Sequence, residues 1–201
     1  LMSGYYPHAT GVLGYKSPRP QIGNRATWSQ HFKNNGYHSA RVSKIYHMGV
    51  PGGIENGGHG ADDAASWTER YNSPGPEWKA PGKGETLEGN PNGKRPVVGG
   101  NTFVVVEAEG DDLVHSDGKT AAKACELLEN YAKRRQPFFL GVGFVRPHVP
   151  FVAPENYYPP FQPYSKMKLP PKIKGDWDDI PKPGINYKPS LNMKMDIRRQ
   201  K

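Results

Sequence analysis

Cysteine is nearly absent. Cys125 stands alone, which excludes an internal disulfide framework and any Cys-x-x-Cys metal site. No apolar run approaches the ~18 residues of a membrane span, and no leader-type segment opens the chain. No block of Lys and Arg interleaved with aromatics marks a nucleic-acid groove, so nucleic acid is not an expected partner. Hydrophobic residues are scarce at 35%, below the about 45–50% usual for a soluble domain.

Glycine and proline are plentiful, at 24 and 21 of 201 residues. Aromatics make up 11%, which argues against disorder, because disordered chains are poor in them. Together these features describe a folded, loop-rich piece whose core is incomplete without neighbouring sequence. The formal charge of +8 favours anionic partners. The chain opens at Leu1 and ends at Lys201 straight after a charged, helix-like stretch. Both ends read as cuts, so the missing leader says little about a longer protein.

Residues 1–23 are turn-rich. A short helix is predicted from about Arg25 to Asn35, with Asn24 as N-cap and Gly36 at C′. Tyr37 to Ile45 reads as a strand. Residues 50–100 read as one long Gly/Pro-rich loop insertion, of a length that is often functional. Phe103 to Ala108 is strand-like.

The clearest helix runs from Gly118 to Arg135. Its apolar stripe is Ala121, Ala124, Cys125, Leu128, Tyr131 and Ala132, and Asp117 suits the N-cap. Cys125 is therefore expected in the core. Phe138 to Val145 is a continuous apolar run, as for an interior parallel strand buried on both faces. Strand, helix, strand in this order predicts an α/β domain with a largely parallel sheet.

Two segments follow predicted strands, where open α/β sheets place ligands. In Arg146-Pro147-His148-Val149-Pro150 the prolines stiffen the backbone around His148. That suits a general acid or an anion ligand; a structural histidine between prolines is the competing reading. In Ser43-Lys44-Ile45-Tyr46-His47 a tight turn brings Lys44 and His47 to one side, fit for a tetrahedral anion. A solvated lysine and an incidental histidine is the alternative there. His8, His31, His38, His59 and His115 lack metal spacing. Asp62-Asp63, Asp111-Asp112 and Asp178-Asp179 read as acidic turns, with Ca²⁺ or Mg²⁺ sites as the rarer case.

These pieces resemble the sulfatase family. LMSGYYPHATGV is similar to the stretch after the family's Cys-x-Pro-Ser-Arg signature. HFKNNGYHSARVSKIYH resembles the helix, glycine turn and strand leading to its Gly-Lys-x-x-His or Gly-Lys-x-His element. SDGKTAAKACELLENY resembles the next helix. PFFLGVGFVRPHVPFVAPENYY and NYKPSLNMKMDIRRQ resemble the iduronate-2-sulfatase subgroup.

The resemblance implies an alkaline-phosphatase-like α/β/α sandwich, incomplete over 1–201. It implies hydrolysis of sulfate esters, of sulfated saccharides in particular, by a formylglycine nucleophile with Ca²⁺. It places the parent in a secreted, periplasmic or lysosomal setting. Carried over by position, Lys44, His47 and His148 are catalytic, and Lys44, His148 and Arg146 bind substrate. Ser43 stands where the family has glycine, and Arg146 where the subgroup has lysine. The signature cysteine and the Ca²⁺ ligands match nothing here, so no metal ligand is assigned within the chain. A phosphate or phosphonate ester hydrolase of the same superfamily, and a non-catalytic polyanion-binding homologue, are the other readings.

Overall fold

The structure is a computed structural model and describes residues 1–50, 52–77, 80–86, 104–168, 170–171 and 173–185. Phe103, Trp78, the distal NYKPSLNMKMDIRRQ segment and the cut inferred at Lys201 lie outside the described residues.

Among the described residues five α-helices occur in chain order: α1 Pro7–Thr10, α2 Arg19–Ile22, α3 Trp28–Asn34, α4 Gly52–Glu55 and α5 Ser116–Ala132. The strands are β1 His38–Ser43, β2 Glu69–Tyr71, β3 Gly82–Thr86, β4 Val104–Ala108, β5 Phe138–Gly143 and β6 Phe151–Pro154.

One sheet has the order β2-β1-β5, with both pairings parallel. The period of two along a strand sorts its residues between the faces. Ala40 and Val42 of β1, with Phe138 and Leu140 of β5, pack against Leu127 and Tyr131 of α5. Phe139 points the other way, stacked on Phe32 of α3 at 4.9 Å and flanked by Trp28 and Trp67. Helix therefore covers each face of a parallel sheet, which is the α/β layering the sequence implies.

A second sheet has the order β3-β4-β6, antiparallel then parallel, around Ala80, Val106, Ala108 and Val152. This corrects the expected strand-helix-strand unit. β4 and β5 flank α5 in sequence but lie in different sheets, because β4 pairs with β3 and β6 while β5 pairs with β1.

β5 is corrected too. Among the described residues it is an edge strand, half-buried except for Gly143. Its apolar run answers to helices on both faces rather than to strands on both sides. The interior strand is β1, buried at all six positions despite the polar sequence HSARVS. Residues 50–100, read as one loop, carry α4, β2 and β3 among the described residues; the short strands lack a clear alternation.

The helix ends shift for identifiable reasons. Thr27, not Asn24, caps α3, its hydroxyl accepting from the Gln30 N–H. Gly36 does take the left-handed conformation expected after the helix, at φ 85°. On α5 the buried positions are Ser116, Thr120, Ala124, Leu127 and Tyr131. Cys125 is exposed and Leu128 is 45% exposed, so neither belongs to the core. Ala124 and Tyr131 of the expected stripe are buried, while Ala121 and Ala132 are exposed, and Leu127 with the small polar Ser116 and Thr120 takes the remaining inward positions.

Candidate active site

β1 and β5 run parallel in register from His38 with Phe138 to Ser43 with Gly143, so both strands end at one edge of the sheet. The two loops singled out in the sequence leave from that edge. The Lys44 N–H donates to the Gly143 carbonyl at 3.0 Å, tying the loops at their base. A Cβ on Gly143 would collide with the Lys44 carbonyl, so the close approach requires glycine. Ser43 itself sits at φ 59°, a left-handed conformation that costs a non-glycine residue free energy. The glycine that the family places before this lysine suits that conformation.

Burial lowers the pKa of His47, and the nearby charges of Lys44 and His148 lower it further. His47 is consequently biased toward its neutral form. Tyr15 stacks flat on it, with ring centroids 4.1 Å apart and planes 15° apart. His148 is oriented by its own loop. Its Nδ1 lies 2.6 Å from the Val149 carbonyl, which fixes Nδ1–H as donor and leaves Nε2 for other chemistry. The His148 N–H donates to the Val145 carbonyl at 2.9 Å.

Arg146 is placed differently from its expected substrate contact. Its Nη2 meets Glu77 Oε2 at 2.7 Å, Nε donates to the Val152 carbonyl at 2.8 Å, and Nη1 reaches the His148 carbonyl at 3.4 Å. The guanidinium thus braces the loop that carries His148. Glu77 is 0% exposed, and burial pushes its pKa up to about 7, against the opposing pull of Arg146. Asp117, expected as an N-cap, instead accepts from the Val145 and Arg146 N–H groups at 2.7 and 3.0 Å. His115 holds the N-cap position. Nothing in the local sequence signalled Glu77, whose partner lies 69 residues away.

The acidic pair Asp62-Asp63 is neither solvated nor free for metal. Asp62 takes Arg41, Arg70 and Trp67, while Asp63 takes Arg19 and Ser66. Arg41 is itself 1% exposed, the charged centre of β1. Asp111 accepts from the Leu113 N–H, and Asp112 from the Tyr157 hydroxyl. Among the described residues no group of three or more His, Cys, Asp or Glu side chains converges as a metal site. The donors among the described residues therefore do not fit the Ca²⁺ that the resemblance implies. Cys125, on the outside of α5, does not fit the nucleophile.

His38 pairs with Glu69 at 3.3 Å, His59 with Arg41 and Asn72, and His115 with the Glu109 carbonyl. These contacts are structural. A cleft of about 300 Å³ near the start of α5 is lined by Asp117, Arg146 and Tyr157. It lies behind the His148 loop rather than at Lys44 and His47.

No family model matches the chain. Three curated proteins are similar to it. A protein named Sulfatase from Formosa agariphila is 30% identical over 195 residues, covering 92% of this chain and 35% of that protein. Iduronate 2-sulfatase from Mus musculus is 29% identical, and that from Homo sapiens 28%, each over 191 residues, 90% of this chain and 33% of the relative. The chain spans about a third of the length of the curated relatives it matches. Similarity across nine-tenths of the sequence, on a helix-covered parallel sheet, makes this chain a relative of the sulfatases.

Proposed function

We propose that this chain is part of a sulfatase that hydrolyses sulfate esters of saccharides, and that Lys44, His47 and His148 are its sulfate-side residues. The observation that carries the reading is the common influence of Lys44 and His148 on His47, at the edge where β1 and β5 both end. Lys44 supplies the positive charge that attracts the anionic ester. His148, held through Nδ1, offers Nε2 to a sulfate oxygen or to the leaving oxygen. His47, biased toward neutrality, accepts or passes a proton near neutral pH. Arg146 acts on this site by holding the His148 loop in place.

A formylglycine nucleophile and a Ca²⁺ ion would be supplied by sequence beyond this chain, as the likeness to sulfatases suggests. The test is turnover of a sulfated disaccharide by the complete protein. His148→Ala and Lys44→Ala should each lower kcat/KM by about 10²-fold or more. Residues 1–201 alone should give no turnover. Full activity in either variant, or preference for the matching phosphate ester, would overturn the assignment.

A further inference from the structure

Tyr15 is 78% exposed, yet its ring is laid flat on His47. One face of the phenol ring is occupied by the imidazole, and such exposure leaves the other face open to solvent. An open aromatic face attracts the weakly positive C–H groups of a sugar ring, because the ring quadrupole is negative there. A cleft of about 240 Å³ is lined by Lys16 and Tyr46, the direct chain neighbours of Tyr15 and His47, though by neither ring of the stack itself. Lys16 is exposed and brings a cation to its wall.

We infer that Tyr15 is the platform for the sugar ring adjoining the one that bears the sulfate ester, which makes it a specificity-determining residue for oligosaccharide over monosaccharide substrates. The inference rests on the sulfate-side reading of Lys44, His47 and His148. The geometry selects the adjoining ring. With 4.1 Å between Tyr15 and His47, and a further contact of about 4 Å, a ring on the open face lies about 8 Å from His47 with Tyr15 between them. The ester-bearing ring must instead set its sulfate against Lys44 and the two histidines. Lys16 then faces a carboxylate or second sulfate on the adjoining unit, as expected for a polyanionic glycan.

The test compares Tyr15→Ala and Tyr15→Trp with wild type in the complete protein. The probes are a sulfated disaccharide, the matching sulfated monosaccharide and inorganic sulfate as competitive inhibitor. Tyr15→Ala should raise KM for the disaccharide by about tenfold. Loss of the stack on His47 bears on both sugars alike, so the disaccharide KM should rise several-fold more than the monosaccharide KM or the inhibition constant for sulfate, and Tyr15→Trp should restore disaccharide KM. An equal change for both sugars, or none for the disaccharide, overturns the platform while leaving the anion site standing. Wild-type enzyme that sulfate does not inhibit, and that His148→Ala does not impair, overturns the anion site itself and the platform with it.

Discussion

Ser43 carries an avoidable cost at the base of the site. It is a non-glycine residue at φ 59°, and its buried hydroxyl has no hydrogen-bond partner among the described residues. The left-handed conformation costs about 1–2 kcal/mol, and an orphaned hydroxyl adds about 1–3 kcal/mol. Glycine would introduce an unfolded-state entropy cost of about 0.5–1 kcal/mol. The balance favours glycine. Ser43→Gly should stabilise the complete protein by roughly 1 kcal/mol, read as a higher urea midpoint with unchanged slope. A lower midpoint would show that the serine makes a contact this geometry lacks.

At the level of elements, α5 and β5 are joined by one side chain. Asp117 in the first turn of α5 takes the N–H groups of Val145 and Arg146, just past the end of β5. Asp117→Ala strands both donors, at about 1–3 kcal/mol each, and loosens the loop of His148. The urea midpoint and kcat should fall together, and Asp117→Asn, which keeps one acceptor oxygen, should fall less. An unchanged midpoint in Asp117→Ala would mean that water replaces the carboxylate.

The same elements show what could be read in advance. α3, β1, α5 and β5 were legible because their periodicity and length are local properties. The loops bearing Lys44, His47 and His148 were legible because they follow strands. Sheet membership was not, since β4 and β5 differ in partner rather than in pattern. The interior place of β1 was hidden by Arg41 and Ser39, whose burial depends on partners about 20–30 residues away, Asp62 and Ser66. The tie from Asp117 to Val145 and the stack of Tyr15 on His47 gave no signal, because those partners are remote in sequence.

For the molecule as a whole, Glu77 ties stability to pH. A free carboxyl titrates near 4.5, whereas burial holds that of Glu77 up to about 7. Between these values the unfolded chain has released a proton that the folded chain retains. The contribution of Glu77 is thus complete below the lower value and lost as pH rises through the upper one, on the order of 3 kcal/mol. Glu77→Gln should remove that slope. Urea midpoints at about pH 5 and about pH 8 test it: wild type should lose more than the variant, and parallel losses would contradict the argument. A second whole-molecule feature is the ion pair between Arg41 inside β1 and Asp62 in the crossover to β2, 2.7 Å apart with both side chains buried. Losing Asp62 strands the Arg41 charge in the interior, at several kcal/mol, and losing Arg41 leaves Asp62 only the longer contact to Arg70 and the Trp67 N–H, whereas replacing both by apolar groups need not cost as much. In descent, the two positions form a single unit of change: a substitution at one is judged by the residue already standing at the other.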